Sequence, residues 1–145
     1  MLKRFESFVT GITTCYKSIQ KIKSAEMDKF GLGLKGTHVM CIFFLYMNPD
    51  GLTASHLSKL CSEDKAAISR AVSTLQEKGF IHPTEKKYRD ILHLTEEGIS
   101  LAEKINVLIS GWVISGGESL TEEEREIFYR CLKKISDNLK TQNDL

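Results

Sequence analysis

The sequence predicts a mainly α-helical chain with one small β-hairpin, and three observations lead to this fold class. Apolar residues recur at spacings of three and four over long segments at both ends of the chain. Residues 62–98 read as one helix, a hairpin and the start of another helix. The chain has 145 residues and a 41% hydrophobic share, which suits one domain that buries a core.

The first predicted helix runs from Leu2 to about Phe30. Its apolar positions recur at helical spacing: Leu2, Phe5, Phe8, Val9, Ile12, Cys15, Ile19 and Ile22. A lone helix of this length cannot bury such a stripe, so it needs the rest of the domain or a second subunit as a partner. Gly31, Gly33 and Gly36 then mark a loop.

The second predicted element, residues 37–47, is apolar nearly all round, which is typical of a buried helix. A central strand is possible by composition. Thr37 as a cap and the turn Asn48-Pro49-Asp50-Gly51 favour a helix. We expect this element to be the hub of the core.

Two short helices follow, and the tight turn between them predicts a helix-turn-helix. Residues 53–60 open with Thr53 as a cap and should bury Leu57 and Leu60. Asp64 is the predicted N-cap of the next helix, which ends at Lys78-Gly79. Its apolar stripe continues into the hairpin and consists of Ile68, Ala71, Leu75 and Ile81.

The opposite face of that helix is predicted to carry small polar groups and one long cation. Lys65, Ser69, Ser73 and Gln76 fall on it at steps of three and four. Predicted strands at about residues 80–84 and 91–95 flank a hydrophilic tip, residues 85–90. A small polar helix face next to a basic hairpin suits insertion into a DNA major groove, with the hairpin on the backbone.

Two more amphipathic helices complete the chain. Thr95 caps the first, whose apolar face runs from Ile99 to Trp112 before a break at residues 115–117. Thr121 and Glu124 form a predicted capping box for the last helix. Its apolar positions are Ile127, Phe128, Cys131, Leu132, Ile135 and Leu139.

The segments SRAVSTLQEKGFI, residues 69–81, and LHLTEEG, residues 92–98, resemble the recognition helix and wing of the MarR family of winged-helix transcriptional regulators. The resemblance covers nearly the whole chain. It implies one domain over residues 1–145, with a winged helix-turn-helix at 37–98 and dimerisation helices at 1–34 and 99–145. It also implies a homodimer that represses a palindromic operator in double-stranded DNA and responds to a small ligand. The four cysteines without a CxxC pair and the absence of a visible signal peptide predict a cytoplasmic protein.

Carried onto this sequence, the resemblance and the polar face predict the DNA contacts. They are Thr53, Ser55, Lys65, Ser69, Arg70, Ser73, Gln76, Lys86, Lys87 and Arg89. The alternative for Arg70 is an intrachain salt bridge to Asp64 or Glu77. Family members commonly carry Asp-x-Arg before the second wing strand, but here Tyr88 takes the place of that arginine and Arg89 follows one residue later.

The resemblance also implies an interface between two subunits and an effector pocket. The predicted interface residues are Phe5, Phe8, Ile12, Trp112, Phe128 and Ile135, although any of them could instead be intrachain core. A pocket between the first, second and fifth helices would be lined by Phe43, Tyr46 and Trp112. An aromatic residue at helical spacing is more often simply core.

Four cysteines occur without a CxxC pair, and we expect reduced, buried thiols. As an alternative, Cys15 lies where the peroxide-sensing OhrR branch of the family has its reactive cysteine. His38 and Cys41 could supply two zinc ligands, but the other two ligands are not visible. We therefore expect neither a metal nor a cofactor.

Charge and motifs narrow the classes of function. The net charge is +1, so any DNA-binding charge must be local. There is no Gly-rich phosphate loop, nucleophile elbow or chelating cluster, which argues against an enzyme. No signal peptide is visible, and the longest apolar run is shorter than the roughly 20 residues of a membrane span. A winged helix that contacts protein instead of DNA remains an alternative.

Overall fold

The computed structural model describes residues 1–84 and 90–143, and it is mainly helical, as predicted. Six helices span its described residues: α1 (Leu2–Lys29), α2 (Gly36–Met47), α3 (Ala54–Cys61), α4 (Lys65–Glu77), α5 (Glu96–Gly116) and α6 (Glu122–Asn143). The chain divides into two compact units, residues 1–108 and 109–145. No helix in the described part of the chain is long and apolar enough to cross a membrane.

The core of the first unit forms where α2, α3 and α4 pack on one another. Its fully buried side chains come from each of these helices, from the paired segments after α4 and from α5. They include Ile42, Leu57, Ile68, Leu75, Ile81, Leu92 and Ile105. The prediction that α2 is the hub is confirmed, since it contacts α1, α3 and α4.

The predicted N-cap of α2, Thr37, is wrong by two residues. Its N-cap is Lys35, and Thr37 lies inside the helix with its hydroxyl directed to Glu63 Oε1 at 3.5 Å. The cap forms because the Lys35 backbone N–H donates to His38 Nδ1 at 2.9 Å. His38 therefore takes the role that Glu or Gln has at the third helical position of a capping box.

The expected burial of Leu60 is also wrong. Leu57 is 0% exposed, as predicted, but Leu60 is 44% exposed. The inner face of α3 passes through Ala54, Leu57 and Cys61. Spacings of three and four are both helical, and the sequence alone did not show that Cys61 would take the inner position.

The predicted pairing after α4 is present as antiparallel bridges rather than as long strands in the described residues. Ile81 pairs with Leu94, and the His82 N–H donates to the His93 carbonyl at 3.0 Å. A third segment joins them, because Leu52 pairs with Leu92. The sequence did not predict this third segment, which fixes the start of α3 beside the base of the hairpin.

In the second unit, the predicted capping box is confirmed. The Thr121 N–H donates to Glu124 Oε2 at 2.8 Å, and the Glu124 N–H donates to Thr121 Oγ1 at 3.3 Å. The Arg125 guanidinium donates to the Gly117 carbonyl at 2.9 Å and closes the turn before α6. No described side chain of α6 is buried.

Candidate nucleic-acid interface

Helix α4 is held rigidly on its inner side. Ile68, Ala71, Val72 and Leu75 are buried against the core. The Asp64 carboxylate accepts the Ala67 N–H at 2.7 Å, so the predicted N-cap is confirmed. A helix that is anchored along one side and capped at its start presents its outer side chains from a fixed frame.

The outward face of α4 is rotated from the predicted one. Burial of Val72 widens the inner stripe, so the positions directly opposite it are Ala66, Arg70 and Glu77, all exposed. The predicted row lies on the flank of this face: Lys65 is exposed, whereas Ser69, Ser73 and Gln76 are only half-buried. Counting apolar Val72 as part of the buried stripe would have predicted the outward face correctly.

Arg70 is exposed at the centre of this face. Among the described residues the ion pairs are Arg125–Glu122 and Lys133–Asp137, and neither involves Arg70. Asp64 is instead occupied by its backbone cap. The alternative of a salt bridge to Asp64 or Glu77 is therefore not found, and the Arg70 guanidinium faces solvent.

Gln76 connects α4 to the hairpin. Its side-chain amide donates to the His82 carbonyl at 3.0 Å and to Thr84 Oγ1 at 3.1 Å. These bonds hold the base of the hairpin next to the C-terminal turn of α4. The predicted basic tip residues Lys86, Lys87 and Arg89, like Tyr88, lie outside the described residues.

The N-terminus of α3 supplies two more predicted contacts. Thr53 Oγ1 accepts the His56 N–H at 3.2 Å, which confirms Thr53 as the N-cap. Ser55 is exposed in the first turn, where backbone N–H groups lack helical partners. Such a helix start suits a phosphate oxygen.

A cavity of about 390 Å³ lies between α1, α2 and the turn after α3. Its lining residues are Tyr16, Gln20, Gly36, Thr37, Met40, Cys61, Ser62 and Glu63. None of the residues predicted for an effector pocket or sensor, Cys15, Phe43, Tyr46 and Trp112, lines it. Phe43 and Tyr46 are half-buried on α2, and their role stays a prediction.

The expectation that all four thiols are buried is wrong. Cys41 is buried and Cys61 is half-buried, whereas Cys15 and Cys131 are exposed. The exposed pair lies on α1 and α6, helices whose described side chains are nowhere fully buried. A hydrogen bond to Cys61 and burial raise the pKa of the Cys41 thiol.

His38 is buried on α2, three residues before Cys41, and its Nδ1 is already engaged by Lys35. Burial lowers its pKa, and Lys35 and Lys78 add to the effect. Within the described residues, no group of three or more His, Cys, Asp or Glu side chains could hold a metal ion.

The predicted interface residues differ in exposure. Phe5 is 64% exposed and Phe128 is 49% exposed, while Phe8 and Trp112 are half-buried. Ile12 and Ile135, the remaining predicted residues, are exposed as well. Further large apolar side chains are exposed on α1 and α6: Leu2, Val9, Tyr16, Ile19, Ile127, Tyr129 and Leu139. Neither α1 nor α6 thus covers its apolar stripe within the described chain.

Comparison with known proteins gives one family model and many similar structures. The model described as MarR family matches residues 32–87. A MarR transcriptional regulator from Methanosarcina mazei Go1 has a TM-score of 0.81 at 20% identity, covering 95% of this chain and 98% of that one. No curated protein matches the chain.

The similar structures include complexes with DNA. The S. aureus MepR–DNA complex has a TM-score of 0.75 at 20% identity, covering 91% of this chain and 97% of that one. The putative MarR family transcriptional regulator from Listeria monocytogenes, complexed with 26mer DNA, has a TM-score of 0.78 at 21% identity. It covers 92% of this chain and 89% of its own. At these identities the likeness establishes a shared fold.

Proposed function

We propose that this chain, which carries a MarR-family winged helix, is a DNA-binding transcriptional regulator that reads a palindromic operator as a homodimer. The observation that carries the proposal is the outer face of α4. Exposed Arg70 lies at the centre of this face and exposed Lys65 on its flank, on a helix that is capped at its start and packed against the core on its inner side. No carboxylate of the described chain pairs with either cation.

Each predicted contact has a physical role at a DNA surface. Arg70, at the centre of the face, can bond a guanine edge through two N–H groups or clamp a phosphate. Lys65, at the start of α4, suits a phosphate. The half-buried hydroxyls of Ser69 and Ser73 flank Arg70 and can bond base edges at short range.

The start of α3 and the hairpin would flank the inserted helix. Ser55 and the free N–H groups of the first α3 turn favour a phosphate on one side. Gln76 holds the base of the hairpin on the other side. We propose that the hairpin tip, with Lys86, Lys87 and Arg89, follows the backbone there.

The proposed partner of α1 and α6 is a second copy of the chain. Both helices expose large apolar side chains along one stripe, Phe5 and Ile12 on α1 and Phe128 and Ile135 on α6. Association would remove these side chains from water, at roughly 25 cal/mol per Å² of apolar surface. Two copies related by a two-fold axis would present two α4 helices to two half-sites.

The dimer is tested by sedimentation equilibrium. We expect a dimer for the natural chain and a monomer for Phe128→Glu, because a charge in the apolar contact must be desolvated. Glu126→Ala changes an exposed neighbour on the same helix and should leave the dimer intact. A natural chain that stays monomeric at micromolar concentration would refute this part of the proposal.

DNA reading is tested by selecting a random duplex library with the purified protein near physiological salt. We expect recovery of an inverted repeat with half-sites about one helical turn apart. Affinity for that site should fall steeply with salt, since phosphate contacts release counterions. If no motif is enriched, or if the affinity for DNA does not change with salt concentration, the alternative of a winged helix that contacts protein is favoured.

The role of the α4 face is tested by charge reversal. Lys65→Glu with Arg70→Glu should abolish binding while leaving the helical circular dichroism unchanged. Lys104→Glu with Lys140→Glu makes the same change of charge at exposed sites outside α3, α4 and the hairpin. This control should bind almost normally. If the variant with Lys65→Glu and Arg70→Glu still binds DNA, the DNA contacts another surface.

We further propose that the regulator is a repressor whose operator affinity responds to a small ligand. The cavity between α1, α2 and the α3–α4 turn supports this, because its wall includes the turn that positions α4. A ligand that fills the cavity would bias the position of that turn. Transcription in vitro from the recovered site, with and without the protein, gives the sign of regulation.

A further inference from the structure

A carboxylate lies in the middle of the face that α4 turns outward. Glu77 is the last residue of α4 and is exposed. It follows Arg70 by seven residues, close to two full helical turns, so both side chains leave the helix in nearly the same direction. Since each residue adds about 1.5 Å, the two positions are separated by roughly 10 Å along the helix axis. Arg70 and Glu77 therefore form one row.

The Glu77 side chain differs from two polar neighbours in the second half of α4. The Thr74 hydroxyl donates to the Arg70 carbonyl at 3.1 Å, and the Gln76 amide donates to the His82 carbonyl at 3.0 Å. Within the described residues, no hydrogen bond or ion pair involves the Glu77 carboxylate. Its two oxygen atoms are left to accept hydrogen bonds from a partner outside the chain.

The position is also unfavourable for a carboxylate in α4 itself. The C-terminal end of a helix carries a partial negative charge, which cations stabilise and anions do not. Glu77 lies in the last turn of α4 and gains no bond there in return. Residues that break a local rule without a local gain are expected at functional sites. A role outside the chain therefore accounts better for this carboxylate than a role in the helix.

A carboxylate on a DNA-binding face has one favourable kind of partner. Phosphate oxygens repel it, so it cannot strengthen contacts to the backbone. In the major groove it can accept a hydrogen bond from the exocyclic amino group of adenine or cytosine. The adenine amino group lies between two acceptors, adenine N7 and thymine O4, whereas the cytosine amino group has an acceptor on one side only. Cytosine is therefore the base that suits Glu77.

We propose that Glu77 is a specificity-determining residue, which reads a cytosine in each half-site by accepting a hydrogen bond from its N4 amino group. The inference rests on the proposed function, because it requires α4 to enter the major groove. The roughly 10 Å between Arg70 and Glu77 spans about three base-pair steps of about 3.4 Å. The cytosine thus lies within about four base pairs of the base or phosphate that Arg70 contacts.

The test compares the natural chain with Glu77→Ala and Glu77→Gln. The operator is first recovered from a random duplex library with the natural chain. Affinities are then measured by fluorescence anisotropy for the recovered site and for versions in which a conserved C·G pair is replaced by T·A, A·T or G·C. We expect the natural chain to bind one such C·G site at least about fivefold more tightly than its three replacements.

The two substitutions predict different changes in base preference. Glu77→Ala should bind the four duplexes about equally, because no acceptor remains. Glu77→Gln should prefer the A·T version, because a glutamine amide can bond adenine N6 and N7 together. Both variants should keep the thermal stability of the natural chain, since the side chain makes no bond within the described residues.

The ratio of affinities between duplexes decides the question. Removal of a carboxylate near DNA strengthens binding to every sequence, so a gain in affinity alone is no evidence for base reading. Glu103→Gln removes the same charge at an exposed position on α5 and should keep the ratio of the natural chain.

Two results overturn the inference and leave the proposed function standing. One is a Glu77→Ala variant that discriminates among the four duplexes as the natural chain does. The other is a recovered operator that has no conserved cytosine. If the natural chain recovers no operator at all, the proposed function fails, and the role of Glu77 fails with it.

Discussion

Leucines 57 and 60 provide a matched test of the orientation of α3. They are the same residue type in one eight-residue helix, three positions apart, but Leu57 is 0% exposed and Leu60 is 44% exposed. The change to alanine alters the helix propensity by the same small amount at both sites. Any difference in stability between the two variants therefore measures burial.

For Leu57→Ala we expect a loss of about 3 kcal/mol in the free energy of unfolding, because the substitution leaves a cavity among α2, α3 and α4. For Leu60→Ala we expect a loss below about 1 kcal/mol, since much of that side chain is already in water. The losses correspond to shifts of roughly 1.5 M and below 0.5 M in the urea midpoint, for a slope near 2 kcal/mol per M.

The measurement is urea unfolding followed by circular dichroism, with the slope fitted for each variant. It should be repeated at several protein concentrations, because dimerisation would add to the apparent stability. Equal losses at the two sites, or a larger loss at Leu60, would refute the orientation of α3. That result would also remove Cys61 from its position facing α2.

Three further perturbations test the first unit. Gly98→Ala should strongly destabilise the chain, because a Cβ atom there would overlap the carbonyl oxygen of Phe80. Stability should fall as the pH drops below about 6.5, because burial lowers the folded-state pKa of His38 and the unfolded chain then binds more protons. Asp64→Ala should cost about 1 kcal/mol through loss of the α4 cap. Thermal and urea unfolding measure the stability in all three cases. The urea experiment is repeated across pH 5–8.

Each perturbation has a control. Gly11→Ala on α1 meets no atom within 4 Å and should be neutral or slightly stabilising. His38→Gln should flatten the pH dependence. Asp64→Asn keeps a capping oxygen and should retain most of the stability. A Gly98→Ala variant as stable as the natural chain would contradict the close approach of α5 to Phe80.

The elements of the fold were predictable because local rules agree with one another along this chain. Thr53, Asp64 and Thr95 cap the helices that follow them, and Gly79 takes the positive φ expected after α4. Helical spacing identified Ile68, Ala71 and Leu75 as core positions. These features depend on neighbours within a few residues, which the sequence displays directly.

The candidate site was less predictable, because its geometry depends on contacts between elements. The outward face of α4 is set by the burial of Val72 against the core. In α3, which packs on α2, Cys61 and not Leu60 lies on the inner face. The half-buried state of Gln76 follows from its bonds to the hairpin. Apolar residues at spacings of three and four restrict the buried face of a helix to a broad sector. Which residues within that sector are buried depends on how the helix packs against its neighbours.

By itself, the sequence determined the order of the helices, the caps of α3 to α6, and the segment that carries the winged helix. Those choices are made by backbone hydrogen bonding and short-range polarity. Only the tertiary structure decided which side chains meet across the chain: Leu52 with Leu92, Gln76 with the hairpin, and Cys41 with Cys61. Contacts between residues far apart in sequence depend on the close packing of buried surfaces. The spacing of apolar residues along one helix does not predict that packing.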